Sequence, residues 1–159
     1  MKNIKRVLCL VLTLLMVAST VSVFAAFSDV PTTASYEKAV SALSQLGIIK
    51  GYDDGTFKPD NDVTRAEFTA MLMRTMGAGS IGSSSSADLP FSDVSDQNSD
   101  ISWSIPNINT AYKIGIVNGY EDGTFRPNDK VAYEEAVKMV VCALGYGENI
   151  SVDATPWYS

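Results

Sequence analysis

The sequence predicts a mainly α-helical fold made of two tandem copies of one helix–short strand–turn–helix unit. The stretch at 51–68 returns 68 positions later at 119–136, with nine of the eighteen aligned residues identical. Phe27-Ser-Asp-Val30 likewise recurs as Phe91-Ser-Asp-Val94, 64 positions further on. A repeat of this length with a fixed internal order indicates one supersecondary unit used more than once. The two copies are expected to pack about a pseudo-symmetry axis.

The first helix of each unit is predicted where apolar residues recur every three or four positions, as along one helix face. This pattern covers Ser35–Leu46 in the first copy and Trp103–Ile114 in the second. Pro106 is compatible with the second stretch because it falls in the first helical turn. The residues expected to face the core are Ala39, Val40, Leu43, Leu46, Ile105, Ile108, Ala111 and Tyr112.

A short strand and a tight turn are predicted between the two helices of each unit. A glycine after each first helix suits the left-handed conformation that ends a helix. The apolar pairs that follow, at 48–49 and 116–117, are expected to be extended. The Asp-Gly pairs after them are typical of turns. Pro59 is expected to keep Lys58 extended, because a residue before proline avoids the helical region.

The second helix of the first copy is predicted to begin with a capping box. Thr64 and Glu67 have the spacing in which the hydroxyl and the carboxylate each accept from the other residue's amide. The helix is expected to run to about Met76, and its counterpart to cover Ala132–Leu144. Ala132 lacks the hydroxyl, which should cost about 1 kcal/mol. The residues expected to face inward are Phe68, Met71, Leu72, Met76, Ala136, Met139, Val140, Ala143 and Leu144.

Residues 1–25 have the pattern of a secretory signal peptide. Lys2, Lys5 and Arg6 precede an apolar run that is shorter than the roughly 20 residues a membrane span needs. Cleavage is expected after Ala25, which would leave a protein without a membrane segment.

The rest of the chain is expected to divide into three parts. The first repeat covers 26–86 and ends in a Gly/Ser-rich linker at 77–88, and the second covers 87–150. Residues 151–159 contain Trp157 and are expected to start a truncated third repeat, so the sequence is interpreted as the N-terminal part of a longer exported protein.

The charge balance argues against a nucleic-acid partner, which requires a basic footprint. The chain has 12 Lys and Arg against 18 Asp and Glu, a net charge of −6. Removing the three cations of the signal peptide leaves 9 against 18, or −9. An acidic ligand must therefore be held by local geometry and not by the overall field.

The composition gives little support to catalysis or to a cofactor. The chain has no histidine, which excludes His-based nucleophilic schemes and zinc sites. A carboxylate pair for glycoside hydrolysis stays open, although the acids lie mostly in turns and caps. Calcium is a second alternative, because Asp53, Asp54, Asp60 and Asp62 cluster before a helix. The register does not fit an EF-hand, so no metal site is predicted.

The start of the second helix is the best candidate for a binding site. The first turn of a helix has free amides and a partial positive charge, which suit an anion. Arg65 directly follows the cap and adds a planar set of donors that can bind a carboxylate with two hydrogen bonds. The alternative is that Arg65 pairs with a nearby acid such as Asp62 on the surface.

The quoted motifs resemble the S-layer homology repeat over nearly all of residues 26–150. The resemblance rests on Phe-x-Asp-Val, Gly-Tyr-x-Asp-Gly-Thr-Phe-x-Pro and Thr64-Arg65-Ala66-Glu67. It implies a spindle-shaped bundle of three repeats, of which this sequence holds two. It also implies non-covalent attachment of an exported protein to an anionic, often pyruvylated, secondary cell wall polysaccharide.

The resemblance assigns ligand-binding roles residue by residue. Arg65 is implied to hold the sugar carboxylate, with the other predicted contacts at Thr64, Glu67, Asp29, Gly51, Asp93, Trp103 and Gly119. Turn and core roles remain the alternative for the aspartates, the glycines and Trp103. The second repeat has Tyr133 in place of the arginine, so it is expected either to stack on a sugar or only to support its neighbours.

Two further functions stay open. The repeats could instead mediate self-assembly with other repeats or with S-layer subunits. Alternatively, the segment could be the tether of an extracellular hydrolase whose catalytic domain lies beyond Ser159. In each case the segment itself is expected to be non-enzymatic and to act at the cell surface.

Overall fold

The computed structural model describes residues 27–79, 81 and 84–147, which form helices joined by tight turns. The α-helices are α1 (Glu37–Gln45), α2 (Arg65–Thr75), α3 (Ser99–Ser102), α4 (Ile105–Lys113) and α5 (Tyr133–Val141), and a π-helical turn follows at Cys142–Tyr146. The mainly α prediction is confirmed. None of these helices has the length and apolar character required to cross a membrane. The predicted signal peptide and the predicted start of a third repeat lie outside the described residues.

The four long helices occur where the apolar pattern predicted them, and each is slightly shorter than expected. α4 begins at Ile105 and not at Trp103, because the short helix α3 intervenes. Pro106 lies in the first turn of α4, as predicted. α5 ends at Val141, where the hydrogen bonding changes to the wider π pattern.

The predicted short strands are wrong for the described residues. The amides of Ile48 and Ile49 both donate to Leu43 O, at 2.9 and 3.2 Å. The equivalent pair at 116–117 donates to Ala111 O in the same way. These apolar residues therefore close the end of the preceding helix, and their amides are not available for a strand ladder.

The hydrophobic core lies mainly in the second repeat, where α2 packs along α4 and against α5. α2 is thus the part of the first repeat that joins the core. The cluster consists of Met73, Phe91, Val94, Ile101, Ile105, Ile108, Ala111, Ile116, Val117, Phe125 and Met139.

Several residues that were predicted to face inward are exposed. Leu43 is 37% exposed and Leu46 is 73% exposed on α1 and its end, and Leu144 is 68% exposed after α5. Met76 and Val140 are also among the exposed large apolar residues. Their apolar spacing is helical, but the described chain contains nothing that covers that side of α1 or α5.

A carboxylate holds the turn of each repeat in a left-handed conformation. Asp93 accepts from the amides of Phe125 and Arg126 at 2.8 and 2.7 Å, and Arg126 has a φ of 58°. Asp29 does the same at positions 57 and 58, at 2.7 and 2.6 Å. The prediction that Lys58 is extended is therefore wrong, since its φ is 56°. Two charge-assisted hydrogen bonds offset the roughly 1–2 kcal/mol strain of a left-handed residue.

The same contacts shift the ionisation of Asp29. Desolvation disfavours its charge, but the hydrogen bonds from the two turn amides outweigh that effect. The pKa of Asp29 consequently lies below its usual value, so this carboxylate keeps its negative charge at neutral pH.

Gly119 allows the repeated turn to approach an aromatic ring. Its φ is 73°, and an added Cβ would lie 2.4 Å from Phe91 Cε1 and 2.8 Å from Thr124 O. Gly51 has the same surroundings in the first repeat. By contrast, a Cβ at Gly123 would meet nothing within 4 Å, although its φ is 79°.

We expect Gly119→Ala to destabilise the chain much more than Gly123→Ala. Both substitutions place a side chain in left-handed backbone, which costs about 1–2 kcal/mol. Only the first also forces a methyl group into a ring and a backbone carbonyl, which typically adds about 1–3 kcal/mol. Urea unfolding followed by circular dichroism measures the difference, and equal losses for the two variants would contradict the steric role of Gly119.

Candidate functional site

The first turn of α2 lies directly against the turn of the second repeat. Arg65 N donates to Asp129 O at 2.9 Å, and Ala66 N donates to Pro127 O at 3.0 Å. Next to them, Thr64 and Lys130 form an isolated antiparallel bridge, with Val131 N on Val63 O at 2.9 Å. We call this contact the repeat junction. It joins the helix start of one repeat to the turn of the next by backbone hydrogen bonds.

The predicted anion site at this helix start lacks its free amides. The amides of Arg65 and Ala66 are bound to carbonyls of the second repeat, and Glu67 N donates to Thr64 Oγ1 at 3.2 Å. The expectation of free amides is therefore wrong, because the neighbouring repeat supplies the acceptors that an anion would have supplied.

The capping box at the same position is confirmed. Thr64 Oγ1 accepts from Glu67 N, and Glu67 Oε2 accepts from Thr64 N at 2.8 Å. In the second repeat only one of these two hydrogen bonds exists, because alanine has no hydroxyl. Ala132 N donates to Glu135 Oε2 at 3.0 Å. Thr64 and Glu67 thus serve the helix start itself.

The Arg65 side chain is buried in the repeat junction. Its side chain is 7% exposed, Nε donates to Phe125 O at 2.9 Å, and Nη1 lies 3.2 Å from Glu135 Oε2. The guanidinium carbon also lies 4.8 Å from the ring centroids of both Tyr120 and Phe125. Such a cation is stable in a poorly hydrated position because a carboxylate, a carbonyl and two aromatic rings surround it.

The acid that pairs with Arg65 differs from the one proposed from sequence. Asp62 lies 2.7 Å from Lys130 Nζ instead, in an exposed pair that bridges the two repeats. Glu135, from the second repeat, takes the place beside Arg65. Arg65 therefore already has a carboxylate partner, and a ligand carboxylate would have to compete with it.

Tyr120 and Glu135 form the other part of the arginine's surroundings. The Tyr120 hydroxyl donates to Glu135 Oε1. Desolvation raises the pKa of Tyr120 to about 12, and its hydrogen bond to the carboxylate adds to this rise. Desolvation also opposes the charge of Glu135, but hydrogen bonds from Tyr120 and Ala132 N and the charge of Arg65 lower its pKa overall. Glu135 is thus held as an anion.

The predicted site residues fall into separate places. Thr64, Arg65 and Glu67 are at the repeat junction. Asp93 and Gly119 shape the turn of the second repeat. This turn carries Tyr120 and Phe125, which both contact Arg65. Asp29 and Gly51 shape the equivalent turn of the first repeat.

The two remaining predicted residues are exposed aromatics. Tyr133 begins α5 and is 81% exposed. Trp103 is 47% exposed between α3 and α4, and its indole donates to Asp100 O at 3.0 Å within its own segment. Their open rings could pack on a sugar face, and their ligand roles stay predictions.

Sequence reasoning missed the residues that surround the guanidinium. Tyr120, Phe125 and Glu135 each align with an identical residue of the first repeat, at 52, 57 and 67. That identity was a usable signal, because Tyr52 also donates to Glu67, at 2.7 Å. The sequence did not show that these residues of the second repeat contact Arg65 of the first repeat.

Two of the four carboxylates considered for calcium are bound within the protein. Asp54 accepts from Thr56 and lies 3.3 Å from Lys58 Nζ, and Asp62 pairs with Lys130. Within residues 27–79, 81 and 84–147, no group of three or more metal-ligating side chains converges.

Comparison with known proteins identifies the repeat. The S-layer homology domain family matches residues 26–69 and 90–137, which together make up more than half of the chain. A cell surface protein of Thermoanaerobacter kivui is 35% identical over 92% of this chain. A surface layer protein of Brevibacillus choshinensis is 35% identical over 74% of it.

An enzyme also shares the repeats. An endoglucanase of Bacillus sp. (strain KSM-635) is 37% identical over 77% of this chain. The matched region covers 19%, 10% and 12% of the length of these three relatives, respectively. The chain therefore corresponds to a small part of each of them.

We expect Arg65→Ala to destabilise the chain by about 3 kcal/mol, because it leaves a partly buried carboxylate without its cation. Urea unfolding gives this value, and Lys130→Ala is the control because its pair with Asp62 is exposed and should contribute little.

A double-mutant cycle of Arg65→Ala with Glu135→Gln should give a coupling energy of about 1–3 kcal/mol. Additive effects would show that the two side chains do not stabilise each other in solution.

We expect the stability of the chain to fall as the pH rises from about 10 to about 12. Tyrosines in the unfolded chain lose their protons near pH 10. Tyr52, whose hydrogen bond to Glu67 and desolvation raise its pKa to about 12, and Tyr120 stay protonated longer when folded. Tyr52→Phe and Tyr120→Phe should each flatten this decline in urea titrations. Tyrosinate absorbance that develops fully near pH 10 in the folded protein would contradict the raised pKa values.

Proposed function

Because this chain belongs to the S-layer homology domain family, we propose that it anchors an exported protein to the cell wall by binding an anionic polysaccharide. The observation that carries the proposal is the family match across both repeats. Members of this family attach to the cell surface, and the relatives of this chain indicate a cell-surface protein.

The relatives support a binding role and not a catalytic one for this segment. A cell surface protein, a surface layer protein and an endoglucanase differ in what their names describe, yet all contain this region as a small part. A segment shared by proteins with such different names is best explained by a role that does not depend on catalysis, and two of the names place their proteins at the cell surface. The repeats are thus the attachment module.

The proposed ligand is a wall polysaccharide with carboxylate groups, such as pyruvylated amino sugars. The mature chain would carry a charge of −9, so long-range electrostatic repulsion disfavours the binding of such a polymer. Recognition must then come from a few fixed donors. Arg65 is the most suitable, because the protein holds its guanidinium rigidly and already presents it to a carboxylate.

In this proposal the sugar carboxylate replaces Glu135 at Arg65 Nη1. The guanidinium would keep its hydrogen bond from Nε to Phe125 O. Glu135 Oε2 would leave both Arg65 Nη1 and Ala132 N, while Oε1 would keep its hydrogen bond from the Tyr120 hydroxyl. The exchange therefore breaks one contact of Arg65 and two of Glu135, and the ligand anion takes the position that Glu135 Oε2 leaves.

The other predicted residues take supporting roles in the proposal. Asp93 and Gly119 position the turn that carries Tyr120 and Phe125, and Asp29 and Gly51 do the same for the first repeat. Thr64 and Glu67 fix the helix start that carries Arg65. The exposed rings of Tyr133 and Trp103 offer flat surfaces for sugar rings.

A tether for an extracellular hydrolase is the second candidate. The similarity to an endoglucanase favours it, because that enzyme contains the same repeats in 12% of its length. Under this reading the attachment module is unchanged, and only the attached activity differs.

We expect the chain to co-sediment with purified wall sacculi and to lose this binding when the anionic polysaccharide is extracted from them. Binding that survives the extraction would contradict the proposed ligand class. Circular dichroism of each variant used below verifies that it is folded before its binding is measured.

Glu135→Gln should strengthen binding several-fold if the ligand carboxylate competes for Arg65, because the substitution removes the competing charge. Arg65→Ala should abolish it. If Glu135→Gln leaves the affinity unchanged and the folded Arg65→Ala variant still binds, Arg65 is only a structural residue and the site lies elsewhere.

A further inference from the structure

The chain contains one Asn-Gly pair, Asn118-Gly119, and it lies at the start of the turn of the second repeat. In such a pair the backbone nitrogen of the glycine can attack the side-chain amide carbon of the asparagine, because the glycine has no Cβ that hinders the approach. A five-membered succinimide ring forms as the side-chain nitrogen leaves as ammonia. Water then opens the ring to aspartate, or to isoaspartate, in which the main chain runs through the former side chain.

The hydrogen bonding around this pair leaves both reacting groups available. Asn118 is exposed, and its side chain makes no hydrogen bond to any other described residue. Gly119 N likewise donates to no acceptor in the described part of the chain, whereas the next amide, Tyr120 N, donates to Thr124 O at 2.8 Å. The attack on the side-chain amide therefore breaks no hydrogen bond, and water can reach the ring that forms.

The other described asparagines each lack one of these conditions. Asn107 and Asn109 are buried in α4, where helical hydrogen bonds fix the backbone. The side chain of Asn98 accepts a capping hydrogen bond at the start of α3. Asn61 and Asn128 are exposed, but each precedes an aspartate, whose side chain hinders the approach of its own amide. The reaction is therefore expected to be concentrated at the turn of the second repeat.

Isoaspartate at position 118 would displace residues that form the repeat junction. It inserts one extra methylene into the main chain directly before Gly119, where even a Cβ would lie 2.4 Å from Phe91 Cε1. The next residue is Tyr120, whose hydroxyl donates to Glu135 and whose ring lies against the guanidinium of Arg65. The aromatic ring behind Gly119 prevents the turn from absorbing the added length, so the contacts of Tyr120 are lost or weakened.

We propose that Asn118 is a site of spontaneous deamidation and that its isoaspartate product weakens the contact between the two repeats. The reaction consumes one water and releases one ammonia, so it needs no enzyme and no cofactor. The first repeat has Lys50 at the equivalent position and cannot react in this way. Ageing therefore alters the second turn and leaves the first turn unchanged. The proposal concerns the repeat junction and does not depend on polysaccharide binding.

Incubation of the folded chain at mildly alkaline pH tests the reaction, because base removes the proton of Gly119 N. Peptide mapping by mass spectrometry should find aspartate and isoaspartate at position 118, formed at least about tenfold faster than at Asn61 or Asn128. Hydroxylamine should cleave the chain after position 118 by attacking the succinimide. Asn118→Lys copies the first repeat and should give neither result. Deamidation that is no faster at position 118 than at the two other exposed asparagines overturns the proposal.

Urea unfolding of the aged chain tests the effect on the repeat junction. The isoaspartate form should unfold at a lower urea concentration than fresh protein, whereas fresh Asn118→Asp, which adds the charge without the extra methylene, should stay close to it. In Arg65→Ala, which already lacks the junction cation, isoaspartate should shift the midpoint much less. Tyr120→Phe replaces that variant if it is poorly folded. An unchanged midpoint, or an equal shift in the junction variant, overturns the proposal.

Discussion

The burial of the Arg65 guanidinium at the repeat junction is the constraint on which the arrangement of the two repeats depends. A cation with only 7% of its side chain exposed requires a fixed anion and fixed acceptors, because water no longer solvates it. Glu135 and Phe125 of the second repeat satisfy this requirement. The helix of one repeat and the turn of the next are therefore held in one relative position.

The turns are rigid because of a local device that occurs in both repeats. One aspartate accepts from two consecutive amides and holds the second residue in left-handed backbone. A glycine at 51 and at 119 lets the turn lie against a phenylalanine. Without this device, the carbonyl of Phe125 would have no fixed direction, and the arginine would lose an acceptor. The repeated aspartate and glycine of the turn thus position the residues that form the repeat junction.

The sequence pattern predicted what local rules decide. Helical spacing located the four long helices, and the spacing of Thr64 and Glu67 identified a capping box that the structure confirms. It could not predict the partner of Arg65, because Glu135 lies in the other repeat and local acids such as Asp62 were equally plausible. It also failed at Lys58, where a carboxylate from a distant segment overrides the preference before proline.

The positions at which the two repeats differ carry as much information as those at which they agree. The two repeats are identical at Tyr52 and Tyr120, at Phe57 and Phe125, and at Glu67 and Glu135. In each repeat the tyrosine hydroxyl donates to the glutamate of the second helix start. Position 65 is arginine and position 133 is tyrosine, and their environments differ accordingly, one being buried and the other 81% exposed. The arginine stands at the position that faces a neighbouring turn, and its contacts there join the two repeats. A ligand carboxylate at Arg65 would then use a charge that the fold had already placed, with Glu135 as its competitor.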